Sequence, residues 1–150
     1  MKQGDPGLGP GAEFALIRRF LEGSSALPRE VRCGPGDDAA VLEGGWVIST
    51  DLSVEDVHFR RAWMTEREIG ARACVAALSD LAAMAAQPVG VLVSMAAPRG
   101  RDIDLEAVQA GVRDAAEAVG AAVIGGDVSR SPGPLFLDIV VLGRAEMPVQ

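Results

Sequence analysis

The sequence predicts an α+β domain, a sheet with its helices packed on one face. Two observations carry that expectation. Apolar runs of strand length occur as WVIST at 46–50, VGVLVSMA at 89–96 and LFLDIVVL at 135–142. Two longer segments of helical period lie between them, and helices set among strands in this way suit one helical layer over a sheet.

The elements follow in order. Residues 1–11 are rich in Gly and Pro and lack an apolar signal core, so they are expected to be a flexible leader. The domain itself is expected over residues 12–150. AEFALIRRFLE at 12–22 predicts a short amphipathic helix, with Phe14, Ile17 and Leu21 on one side. Residues 24–30 read as a loop, and Val31 leads through two glycines into Asp37 and Asp38. Strands are expected at 39–42 and 46–50, joined by a Gly44-Gly45 turn, and 54–59 reads as extended.

Thr65 and Glu68 have the spacing of a capping box, so a helix is predicted from Glu66 to about Ala86, stopping before Pro88. A strand at 89–96 and a turn at 98–101 follow. Asp102 or Asp104 caps a helix that reaches Val119 and stops at Gly120. Residues 121–124 read as a short buried strand ending at Gly125-Gly126-Asp127. After a turn at 131–134, the last strand is expected at 135–142.

Composition narrows the function. The chain has 150 residues, 49% hydrophobic and 23% charged, which suits one globular domain. Aromatics are only 4%, so the core must be built from Ala, Val, Leu and Ile. The net charge of −7 comes from 21 acids against 14 bases. With no basic stripe, no nucleic-acid partner is expected. No apolar run reaches about 18 residues, so no membrane helix is expected either. Cys33 and Cys74 form no Cys-x-x-Cys pair, and two free thiols fit a reducing, cytoplasmic setting.

Four acidic stations stand out: Asp37-Asp38 after Gly34-Pro35-Gly36, Asp51 after Ser49-Thr50, Asp80 after Ser79, and Asp127 after Gly125-Gly126. Each has a bland alternative. Asp37 and Asp38 suit a polar turn, and Asp51 an Asx turn at a strand end. Asp80 is the only charge between Ala73 and Ala86. It sits either toward the polar side of its helix or in a site that compensates its burial. Gly125-Gly126-Asp127 allows backbone N–H groups to face a phosphate, yet it is neither a P-loop nor a dinucleotide fingerprint.

Taken together the stations say more. Two carboxylates about 4 Å apart repel by about 4 kcal/mol at an effective dielectric near 20. If several converge, they need bound cations. Mg²⁺ takes hard oxygen ligands, and it would let an acidic surface receive a polyphosphate. His58, the only histidine, packs or meets a substrate phosphate. No Ser-His-Asp set and no credible cysteine nucleophile is present, which favours direct transfer over a covalent intermediate.

EFALI at 13–17, GDDAAVL at 36–42, STDLSVEDVHF at 49–59, ALSDLAAMAAQP at 77–88 and IGGDVSR at 124–130 together resemble the thiamine-monophosphate kinase family. The resemblance implies the fold shared with aminoimidazole ribonucleotide synthetase, a four-stranded mixed sheet with helices on one side. It implies a homodimer formed through the sheet. It also implies an activity: Mg²⁺-dependent transfer of the ATP γ-phosphate to thiamine monophosphate, giving thiamine diphosphate. By this likeness Asp38, Ser49, Thr50, Asp51, Asp80 and Asp127 look like magnesium ligands, with Asp37 ranked below Asp38. Gly126 and Asp127 look like nucleotide contacts, and His58 looks like a contact to the thiamine phosphate.

Members of that family carry a second domain, which is expected to be absent from these 150 residues. The chain alone is therefore expected to bind Mg²⁺ and nucleotide weakly and to lack turnover. Two rival readings remain. One is a related ATP-dependent enzyme, such as a selenophosphate synthetase or a hydrogenase-maturation protein. The other is a dimerisation module without activity.

Overall fold

The computed structural model describes residues 12–22, 26–100 and 102–146. The expected leader lies outside the described residues. The elements are α1 (Ala12–Leu21), β1 (Val31–Cys33), β2 (Ala40–Leu42), β3 (Trp46–Val54), α2 (Glu66–Ala83), β4 (Gln87–Pro98), α3 (Leu105–Ala118), β5 (Ala122–Ser131) and β6 (Phe136–Arg144).

One mixed sheet runs in the order β1-β2-β3-β6-β4-β5. Among these named strands, only β4 and β5 pair in parallel. Among the described residues, six strands replace the four expected. The four long ones, β3, β6, β4 and β5, have nine to twelve residues. β2 folds back on β3 through Gly44 and Gly45, both at positive φ, pairing Ala40 with Ile48 and Leu42 with Trp46. β1 then adds to β2 at the edge. Three residues are too few to show an alternating pattern, so β1 left no trace in the sequence.

The alternation of side chains along the strands sorts the sheet into two faces. Val47 and Ser53 of β3, Leu137, Ile139 and Val141 of β6, and Val91, Val93 and Met95 of β4 are buried. Over them lie Ile69, Ala73, Cys74, Ala77 and Leu81 of α2 with Val108, Val112 and Ala116 of α3. Both helices therefore cover the same face, as expected. The opposite face is open: Leu52 is 49% exposed and Ile124 58%.

The two helices touch through glycine. A Cβ at Gly70 would lie 1.9 Å from the Val108 carbonyl oxygen, and one at Gly111 would lie 1.9 Å from that of Arg67. Only hydrogen fits at these crossings. Arg67 Nε donates to Asp114 Oδ2 at 2.7 Å along the same seam.

Three local readings need correction. α2 ends at Ala83 rather than Ala86, because Ala85 adopts φ 52 and turns the chain, and Pro88 sits inside β4 opposite Gly143. Residues 54–59 are not extended throughout. Asp56 at φ 66 folds the chain back, so that His58 N–H reaches the Val54 carbonyl at 2.8 Å. Finally, β5 does not stop at Gly125-Gly126-Asp127 but runs through it to Ser131. The register shifts there, from Val91 opposite Val123 to Leu92 opposite Gly125, so Ile124 is an extra residue in a bulge. The two helix N-termini agree with the sequence. Thr65 and Glu68 form both bonds of the capping box, and Asp104 caps α3 by accepting from Ala107 N–H at 2.9 Å.

Candidate functional site

On its helix-covered side β3 presents Val47, Ser49, Asp51 and Ser53 in turn. Ser49 Oγ donates to Asp80 Oδ2 at 2.5 Å, and the same oxygen lies 3.2 Å from the Asp38 carbonyl oxygen. The chain entering β2, the middle of β3 and the last turn of α2 therefore meet here. Asp51 is two residues further along the same side and is half-buried.

The open question about Asp80 resolves toward the sheet. Its carboxylate is half-buried and bound to Ser49, whereas Ser79 is exposed and donates to the Ala76 carbonyl at 2.6 Å. One hydroxyl uses one of about four acceptor sites on a carboxylate, leaving the rest for other donors or a cation. No basic residue occupies the last turn of α2, so the negative end of that helix adds to the charge of Asp80. The Asp80 carboxylate, the Ser49 hydroxyl, the Asp38 carbonyl beside it and Asp51 on the same side of β3 are all hard oxygen donors, a chemistry that fits Mg²⁺, while the Asp38 side chain itself is exposed.

Asp37 behaves differently. Its Oδ1 accepts from the Asp38 N–H at 2.9 Å, and its Oδ2 lies 3.9 Å from Cys33 Sγ. The side chain is turned onto its own loop, which is the polar-turn alternative.

Thr50 points to the open face and donates to Asp138 Oδ1 at 2.7 Å. It is not brought together with Ser49 and Asp51. Asp127 is also separate. The backbone row Asp51, Ile139, Val93, Gly126 crosses three strand spacings, roughly 14 Å. Asp127 is exposed and stands in the next row with Ser94 and Asp138. Among the described residues, no three acidic, His or Cys side chains already stand close enough to hold a metal ion.

Gly126 and Asp127 instead border a cleft of about 760 Å³ between α3 and β5. Its floor is Val93, Met95 and Val123, and Gln109 and Arg113 of α3 supply polar groups. Mostly apolar walls with a few polar groups, at this volume, suit a small organic ligand.

His58 is exposed, and its Nδ1 accepts from the Val54 N–H at 3.0 Å. With Nδ1 accepting, Nε2 is the nitrogen left to donate, and it points away from the backbone. The loop is held at both ends. Buried Glu55 accepts from the Leu135 N–H at 3.0 Å. Arg61 donates to Glu66 Oε1 at 3.0 Å and to the Asp102 carbonyl at 2.6 Å. The Arg61 hydrogen bond holds the Glu66 carboxyl below the usual range. Burial pushes the Cys74 thiol up to about 11, which removes it as a nucleophile.

Sequence reasoning missed Glu55 and Asp138. Asp138 carried a signal, a lone charge within LFLDIVVL, and Glu55 lay unremarked inside STDLSVEDVHF.

Residues 36–145 match the family of AIR synthase related proteins, N-terminal domain. The chain belongs to this family. Among relatives of this AIR synthase related domain, the thiamine-monophosphate kinase of Mycobacterium tuberculosis is 37% identical over 120 residues, which is 77% of this chain and 36% of the relative. The crystal structure of the Aquifex aeolicus thiamine monophosphate kinase superimposes with a TM-score of 0.76 at 25% identity, covering 95% of this chain and 44% of that one. The AaThiL complex with AMPPCP and TMP gives a TM-score of 0.70 at 26% identity, with coverage of 95% and 44%. The AIR synthase related domain thus spans less than half the length of the relatives it matches. No helix among its described residues is long and apolar enough to cross a membrane.

Proposed function

We propose that this chain supplies the nucleotide- and magnesium-binding part of a thiamine-monophosphate kinase, which transfers the ATP γ-phosphate directly to thiamine monophosphate. The observation that carries the reading is the Ser49 hydroxyl joining Asp80 to the Asp38 segment, which gathers oxygen atoms from three separate pieces of sequence. The likeness to thiamine-monophosphate kinases and to a complex with AMPPCP and TMP supports it.

Asp38, Ser49, Asp51 and Asp80 would hold Mg²⁺, which when bound neutralises charge on the phosphates. Ser49 orients the Asp80 carboxylate through its hydroxyl proton. Gly126 and Asp127 would meet the nucleotide at the α3–β5 cleft, and an extended ligand suits two stations roughly 14 Å apart. Thr50 and Asp127 would bind metal from outside this station, Thr50 beside Asp138 on the open face and Asp127 beside Gly126 at the cleft. His58 would donate its Nε2 proton to the acceptor phosphate. With Cys74 held as a thiol, a direct transfer needs no covalent enzyme intermediate. The open sheet face, with Leu52 and Ile124 exposed, is proposed to pair with a second copy, and the setting is proposed to be cytoplasmic.

Calorimetry with ATP tests the reading. Heat of binding is expected only with Mg²⁺ present and is expected to disappear in Asp80→Asn. A folded chain giving no heat with ATP and Mg²⁺ would favour the dimerisation module instead.

A further inference from the structure

His58 and Arg60 are exposed while Phe59 between them is buried, so both project to solvent from one short segment. Their hydrogen-bonding capacity is unevenly used. Neighbouring Arg61 is committed to Glu66 and to the Asp102 carbonyl. The Arg60 carbonyl accepts from the Trp63 N–H at 3.0 Å, whereas its guanidinium donates no hydrogen bond among the described residues. Its guanidinium lies 4.6 Å from the centroid of the Trp63 ring, a stacking that fixes its plane. The acid beside it, Asp56, is 4.0 Å away and mostly exposed, a weak and screened pairing. His58 has its Nδ1 taken by the Val54 N–H, and its Nε2 has no hydrogen-bond partner among the described residues.

We propose that Arg60 is a positioning residue for the acceptor, and this rests on the acceptor reading above: Arg60 and His58 together grip the phosphate monoester of thiamine monophosphate. A planar guanidinium matches two phosphate oxygens at once, and His58 Nε2–H supplies a third donor. In a chain of net charge −7, such a pair is a local exception to the acidic surface. Val57 and Trp63, each 73% exposed, flank it with apolar surface of the kind that receives an aromatic group carried on a phosphate. Asp56 acts as a placeholder that the phosphate displaces.

The test is a titration of the 150-residue chain in a Trp46→Phe background, so that emission reports Trp63. The probes are thiamine monophosphate, thiamine and inorganic phosphate. The parent is expected to bind thiamine monophosphate more tightly than thiamine. Arg60→Ala is expected to weaken thiamine monophosphate about tenfold, as for loss of a charge-assisted hydrogen bond, and to leave thiamine unchanged. Arg60→Lys recovers part of the loss, and Asp56→Asn tightens binding by removing the competing carboxylate. If the parent prefers thiamine monophosphate and Arg60→Ala keeps that preference, the proposal falls and the acceptor reading stands. If the parent binds thiamine monophosphate and thiamine alike, both fall.

Discussion

Ser49 and Asp80, 31 residues apart in sequence, are joined side chain to side chain at 2.5 Å. The bond ties β3 to the last turn of α2 and holds a half-buried carboxylate in one orientation. Ser49→Ala leaves that carboxylate without its donor. Stability is expected to fall by about 1–2 kcal/mol, measured by urea unfolding. If Mg²⁺ binds at this junction, adding it at about 100 times its Kd stabilises the parent chain by about 2.7 kcal/mol. An equal effect of Mg²⁺ on Asp80→Asn would contradict that link.

Gly126 is where β5 can approach β4. Its φ is 154, and a Cβ there would lie 1.9 Å from the Val93 carbonyl oxygen. Gly126→Ala is expected to destabilise the domain by about 2–4 kcal/mol through strain and overpacking. Gly125→Ala meets only the Leu92 side chain, at 3.5 Å, and serves as the mild control.

Gly111 gives a test of sign. Replacing glycine by alanine inside an exposed helix stabilises by about 1 kcal/mol. Here the new methyl would strike the Arg67 carbonyl across the helix seam, so Gly111→Ala is expected to cost about 1–3 kcal/mol. A stabilised variant would show that α2 and α3 do not cross at this point.

The capping box gives a pH dependence. The Thr65 backbone N–H, then its side chain, hold the Glu68 carboxyl below its ordinary 4.5. A depressed carboxyl contributes stability that is fully present above the unfolded pKa. It is lost as pH falls through the lower folded value. Carbon NMR titration of Glu68 is expected to show a midpoint below 4.5, returning toward 4.5 in Thr65→Ala. A midpoint unchanged by that substitution would remove the Thr65 side chain as a cause and leave its backbone N–H.

What the sequence revealed divides by range. Thr65 with Glu68, and Asp104 with Ala107, lie within one helical turn, so spacing alone exposed them. Long apolar strands were legible for the same local reason. The glycines at 125 and 126 suggested a strand end, because a bulge and a turn use the same residue. The acidic stations were visible as residue types, but their grouping was not. Whether Thr50 faces Ser49's neighbours or Asp138, 88 residues away, depends on strand register and on which face the helices cover. That is why Asp80 joined Ser49 while Thr50 and Asp127 did not.

The most direct test follows Mn²⁺, a paramagnetic substitute for Mg²⁺, in amide NMR spectra of the chain with ATP. Signals of Ser49, Asp51 and Asp80 are predicted to broaden first, and Asp80→Asn to abolish the effect. Broadening confined to other residues, or unchanged in Asp80→Asn, would contradict a divalent-ion site at this junction.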